Sequence, residues 1–274
     1  MAFDPILSRI VPALATVPGV AAIALGGSRA RGTASDASDY DIGLYFSTGR
    51  LLDTDRLLEV ARTFVDEPDS AEVTPIGSWG PRIVGGGWLV VLGRKVDLLY
   101  RNLEDVAQVI ASCRAGEVTM HYQPGHPHGF CSAIWMGEVA LCRVQHDLAG
   151  KLAALKAKTS PYPAPLREAL IKRFQWEILF AIENAELAIA RGERTHTAGC
   201  AYRALACLGQ VLFALNERYL INEKGALLEA ATFPRTISGL TERVGEIWDS
   251  IGEKQFEAAL ATLRALEQEL KLLS

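Results

Sequence analysis

A chain of 274 residues that is 49% hydrophobic and 22% charged can bury one or two cores, which excludes a disordered polymer. Its net charge of −4 argues against general nucleic-acid binding, since a surface built for phosphate backbones is basic, and it suits a cationic acceptor. No signal-like start and no apolar run of bilayer-spanning length is read, so a cytoplasmic protein without membrane contact is expected. The cysteines Cys113, Cys131, Cys142, Cys200 and Cys207 are odd in number and scattered, as reduced thiols are.

In chain order, Pro5 to about Thr16 predicts a short amphipathic helix. Val20-Ala21-Ala22-Ile23-Ala24-Leu25 then reads as a buried strand that breaks at two glycines into a tight turn. The turn Gly26-Gly27-Ser28-Arg29 opens a helix whose first backbone N–H groups point outward. Gly27, Ser28 and Arg29 are therefore candidates to receive a triphosphate through main-chain donors, a hydroxyl and a cation. Ser38 joins them as a nucleotide-binding candidate in the run Ser38-Asp39-Tyr40-Asp41.

Asp39 and Asp41 are two residues apart on a predicted strand, whose period of two sends both carboxylates to one face. Like charges so close repel unless a cation sits between them, and hard oxygen ligands suit Mg2+ shared with substrate phosphates. Further on, Trp88–Leu92 and Lys95–Tyr100 read as a hairpin turning at Gly93-Arg94. It places Asp97 among apolar neighbours, where a carboxylate wants a partner.

Taken together, Gly27-Ser28, Gly32, Ser38-Asp39-Tyr40-Asp41 and Asp97 resemble the nucleotidyltransferase superfamily typified by DNA polymerase beta. Within it they resemble the small-molecule and minimal nucleotidyltransferases, kanamycin nucleotidyltransferase among them. The resemblance covers about the first hundred residues. It implies that Asp39 and Asp41 bind two metal ions, that Asp97 binds one of them and helps activate the acceptor hydroxyl, and that Mg2+ and ATP or another NTP are used.

The expected fold class is α+β, a mixed-sheet nucleotidyltransferase domain over residues 1–118 followed by an all-α helical bundle over 119–274. Pro124, Gly125, Pro127 and Gly129 mark a linker or cleft-edge loop. Beyond it, Ala164–Arg191, Cys200–Tyr219 and Gln255–Leu272 carry apolar residues at helical spacing. By analogy with related antibiotic-modifying enzymes, Glu177 or Glu183 is a candidate base. Lys224 and Arg218 are candidate cations for the triphosphate. The expected reaction moves a nucleoside monophosphate onto the hydroxyl of a small molecule, aminoglycoside-like among the options, with a homodimer allowed. The alternatives are a protein AMP-transferase and an antitoxin-like nucleotide-binding regulator.

Overall fold

The computed structural model describes residues 4–80 and 82–273. It divides into two units, one of residues 1–111 and 120–161, the other of 112–119 and 162–274.

The first unit opens with helix α1 (Pro5–Leu14). Asp4 caps it, accepting the Ile6 and Leu7 N–H groups at 3.0 and 3.1 Å, with a proline in the first turn where its missing donor costs nothing. Ile6, Ile10 and Leu14 recur at helical spacing and are fully buried, each contributing about 1.5–3 kcal/mol of apolar burial. There follow strand β1 (Ala22–Leu25), helix α2 (Gly27–Arg31), strand β2 (Tyr40–Phe46), helix α3 (Thr54–Arg62), strands β3 (Glu72–Val73), β4 (Gly86–Val91) and β5 (Arg94–Asn102), and helix α4 (Leu103–Arg114). Next come β6 (Met120–His121), β7 (Phe130–Cys131), α5 (Ala133–Leu141), β8 (Arg143–His146) and α6 (Lys151–Ala157).

Six strands form one sheet in the order β3-β4-β5-β2-β1-β8; β6 and β7 form a separate two-stranded ribbon. The sheet is mixed, because β2 and β5 run parallel while their neighbours pair antiparallel. Its strands alternate. Tyr40, Ile42, Leu44 and Phe46 of β2 and Val96, Leu98 and Tyr100 of β5 enter one continuous core with α1 and α3. The intervening residues Asp41, Gly43, Asp97 and Leu99 turn to the opposite face and are only half-buried.

Two local expectations shift. The β4–β5 hairpin turns at Leu92-Gly93, not Gly93-Arg94, since Arg94 pairs with Val91. Leu92 and Gly93 have φ of 52° and 70°, the left-handed pair that matches strand twist. The Asp66 carboxylate accepts both turn N–H groups, at 2.8 and 2.7 Å, which offsets the strain at Leu92. The stretch expected as a linker or cleft-edge loop is the loop that joins the β6–β7 ribbon within the first unit, and Gln123 there is buried. Residues 120–161, assigned from sequence to the second domain, pack with the first because β8 completes the sheet beside β1.

The second unit is mostly helical: α7 (Ala164–Ile189), α8 (Arg194–Leu215), α9 (Ala226–Ala230), α10 (Leu240–Gly252) and α11 (Phe256–Leu273). Leu166, Leu170, Phe174 and Ile178 of α7 and Ala201, Ala204, Leu208 and Leu212 of α8 are buried, and α7 packs on α8 with α11 against both. Helix α8 begins six residues before the expected Cys200. It is also long and apolar enough to cross a membrane, contrary to expectation, and 67% of its apolar window is buried inside the protein. Its leucine, valine, phenylalanine, alanine and cysteine side chains raise its hydropathy, as in a core helix that is apolar nearly all round. The five cysteines are free thiols, and burial pushes the Cys207 thiol up to about 12.

Candidate active site

The acids of interest sit where β2 begins. Asp41 is the Cα partner of Asp97 on the neighbouring parallel strand, so both side chains project from one face about 4.8 Å apart in strand spacing. Asp39 precedes Asp41 by two residues and is exposed at the strand entrance. The Gly26 N–H bonds the Asp41 carbonyl at 2.7 Å, which brings the β1–α2 turn against the same point of the sheet.

Gly27 is required there for two reasons. Its φ is +60°, and a Cβ would lie 1.8 Å from Asp41 Oδ2. The Asp41 carboxylate therefore rests directly on the glycine turn. Ser28 follows, half-buried in the first turn of α2, which no side chain caps.

Arg29 is placed differently from its expected role. Its Nε donates to the Ser38 and Asp39 carbonyls at 3.1 and 3.2 Å, its Nη2 donates to Ser38 at 2.6 Å, and the guanidinium lies 3.9 Å over the Tyr40 ring. Its Nε and Nη2 thus tie the loop that carries Asp39 to α2, and its planar fork suits paired carbonyls. Tyr40 in turn donates to Asp4 at 3.1 Å, and burial followed by the Asp4 charge raises its pKa. A line of contacts from the α1 cap through Tyr40 and Arg29 thereby fixes the Asp39 backbone. Ser38 is likewise structural: its Oγ accepts the Ser35 N–H at 3.0 Å and closes the turn before β2.

One charged group on this face was not anticipated. Arg101 of β5, 2% exposed, makes a two-pronged pair with Glu138 of α5, Nε to Oε2 and Nη2 to Oε1 each at 2.9 Å, and donates to the Tyr100 carbonyl at 2.9 Å. Burial opposes its charge, but Glu138 and, more distantly, Asp41 outweigh it and hold the guanidinium above its ordinary pKa. A lone arginine closing the apolar run Leu98-Leu99-Tyr100 was the available signal; its partner lies 37 residues away and had none.

The remaining candidates belong to the second unit. Glu177 is gripped by Arg203, Nε to Oε2 at 3.0 Å, and faces Arg173 at 3.7 Å. Glu177 is thus held between two arginines of the second unit, Arg203 of α8 and Arg173 one turn earlier on α7. Glu183 is exposed on α7. Lys224 is exposed in the loop before α9, its N–H bonded to Asn222 Oδ1 at 2.8 Å, so Asn222 caps this turn. Arg218 packs 4.9 Å over the Phe233 ring.

Among the described residues no group of three His, Cys, Asp or Glu side chains closes on one point as a ready metal cage. The Asp39, Asp41 and Asp97 donor set nonetheless fits a magnesium-like ion. Such ions take one or two carboxylates and complete their shell with water and substrate phosphate.

Residues 7–84 match the family model for the nucleotidyltransferase domain. No curated protein matches the chain. Among solved structures, the chain is similar to a nucleotidyltransferase-like protein from Exiguobacterium sibiricum 255-15, with 12% identity and a TM-score of 0.43 over 95% of this chain and 72% of that one. The family match spans Gly27, Ser28, Asp39 and Asp41 and stops short of Asp97. The matched residues include those that set the glycine turn against the acid-bearing strand, and this match to a nucleotidyltransferase domain supports nucleotidyl transfer as the general activity.

Proposed function

We propose that this protein transfers a nucleoside monophosphate from an NTP, ATP foremost, to a hydroxyl of a small-molecule acceptor and releases pyrophosphate. The observation that carries the reading is the register of Asp41 against Asp97 beside the Gly26-Gly27-Ser28 turn. A phosphate-accepting turn and two carboxylates on one strand row are the minimum such chemistry needs.

In this reading the backbone and hydroxyl of Ser28 bind the triphosphate beside Gly27, and Arg29 keeps Asp39 in position. Asp39, Asp41 and Asp97 would hold Mg2+, which when bound supplies charge neutralisation on the phosphates and polarisation of the reacting oxygens. The acceptor oxygen forms a bond to the α-phosphorus. The bond from that phosphorus to the bridging oxygen breaks, and its electron pair leaves with pyrophosphate. Asp97 orients the hydroxyl and takes its proton, a role for which it stands at hydrogen-bonding level with Asp41 on the adjacent strand.

The test is pyrophosphate release from each of the four NTPs with Mg2+, across aminoglycosides, lincosamides and simple polyols, with Asp41→Ala as control. Acceptor-dependent release that vanishes in the variant supports the reading. Nucleotide binding with no release under any acceptor overturns it in favour of a nucleotide-binding regulator, and a gain of one AMP on a protein partner favours a protein AMP-transferase.

A further inference from the structure

One row of residues runs across the sheet on the acid face. Glu72 of β3 pairs with Trp88 of β4, Trp88 pairs with Asp97 of β5, and Asp97 pairs with Asp41 of β2, behind which lies the Gly26 turn. Residues directly opposed on paired strands send their side chains to the same face. Trp88 therefore stands next to Asp97, on the side away from the glycine turn. It is 50% exposed although its neighbour Leu89, facing the other way, is 3% exposed.

A second indole is seated against it. Trp79, from the loop between β3 and β4, stacks on Trp88 with ring centroids 4.6 Å apart and planes at 26°. Gly86 makes the room, since a Cβ there would come within 2.7 Å of the Trp79 ring. Buried Gln123 holds the loop: Nε2 donates to the Trp79 carbonyl at 2.9 Å, and Oε1 accepts the Ile83 N–H at 3.1 Å and the Arg82 N–H at 3.3 Å. A buried amide paired on both its donor and its acceptor side rigidifies what it grips. The two indoles are thus a built surface, in contrast to a single aromatic side chain left at an edge.

We propose that Trp79 and Trp88 form an acceptor shelf, on which a hydroxyl-bearing ring compound stacks so that its hydroxyl meets Asp97. The proposal rests on the nucleotidyl-transfer reading above and names the class of acceptor for it. The order across the sheet separates the two substrates. The phosphate-accepting turn is at one end, Asp41 and Asp97 are in the middle, and the indoles are at the other end. Glu72, exposed beyond Trp88, disfavours phosphate there and favours a ring carrying a positive substituent, which the indole face also attracts. A ring with an apolar face gains stacking that an open-chain polyol lacks.

The test titrates the indole fluorescence of the full chain with phenyl β-glucoside and with sorbitol, and measures ATP binding by calorimetry. Expected are saturable quenching by the glucoside alone, a roughly tenfold or greater weakening in Trp88→Ala, near-wild-type behaviour in Trp88→Phe, and unchanged ATP affinity. Trp88→Leu replaces the alanine variant should that one fail to fold. The shelf is overturned by absence of quenching, by quenching that survives in both Trp79→Ala and Trp88→Ala, or by a loss of ATP affinity in place of glucoside affinity. Quenching that depends on Trp88 without pyrophosphate release from any acceptor sinks only the transfer reading. Equal release with sorbitol and glucoside, unchanged in the Trp88 variants, sinks only the shelf.

Discussion

The two faces of the central sheet are made by the same strands and do opposite work. On one, Ile42, Leu44, Leu98 and Tyr100 are completely buried beneath α1 and α3. On the other, one residue along each strand, Asp41 and Asp97 stand half-buried beside a glycine turn, with Asp39 exposed at the strand entrance. A strand's period of two lets a single stretch of sequence carry both roles, so stability and chemistry are separable by single substitutions three residues apart.

Asp41→Asn against Leu44→Ala is the largest test of that separation. Loss of the Asp41 charge is expected to lower acceptor-dependent pyrophosphate release by about a thousandfold, ~4 kcal/mol in the barrier, with little change in Tm. Leu44→Ala is expected to cost about 2–5 kcal/mol of unfolding free energy while the rate per folded molecule survives. Parallel denaturant titrations and turnover assays check both, and a Leu44 variant that loses rate in proportion to the Asp41 variant would dissolve the distinction.

Arg101 and Glu138 blur the contrast, because they put a structural ion pair on the chemical face. Glu138→Gln leaves a buried guanidinium uncompensated, and about 3 kcal/mol of destabilisation is expected. Arg101→Met is expected to cost less, about 2 kcal/mol, since the Glu138 side chain it strands is 27% exposed and recovers solvent. Thermal unfolding of the two variants checks the order.

Gly27→Ala acts on the junction of turn and acid. The left-handed backbone alone costs about 1–2 kcal/mol, and the new methyl displaces the Asp41 carboxylate. The expected outcome is a modest fall in Tm with a disproportionate loss of turnover, read from the same two assays.

The acid row was legible in the sequence because its spacing is local: Asp39 and Asp41 share a face by alternation, and Gly26-Gly27 follows an apolar run. Asp97 depended on a hairpin reading that proved off by one at the turn but right about the strand that bears it. What could not be read were the long-range commitments. The guanidinium of Arg29 read as a cation for the triphosphate, with no sign that it would reach the Ser38 and Asp39 carbonyls, and Glu177 read as a candidate base, with no sign that Arg203 of α8 would grip it. Residues 120–161 read as the start of a helical domain, because nothing in four residues of β8 announces that they pair with β1. The Trp79–Trp88 stack was hidden for the same reason, one ring coming from a loop and the other from a strand that reads as plain β-sheet.

The smallest effect concerns the hairpin that delivers Asp97. Asp66 accepts the Gly93 and Leu92 N–H groups, and these two bonds, with Gly93 the larger, hold its carboxyl below the ordinary aspartate pKa. A depressed folded-state pKa means that the stabilisation is complete above the unfolded value of about 3.9 and is lost as pH falls through the lower folded value. Wild-type protein should therefore exceed Asp66→Asn in hairpin stability at neutral pH, and the gap should narrow as pH drops below about 4. Hydrogen exchange at the Leu92 and Gly93 amides reads this directly, because exchange there reports local opening of the turn rather than global unfolding. An equal gap at pH 7 and below pH 4 would assign the benefit to shape rather than charge. The hairpin would then be held by the left-handed turn alone, and Asp97 would owe its position to the β2–β5 pairing.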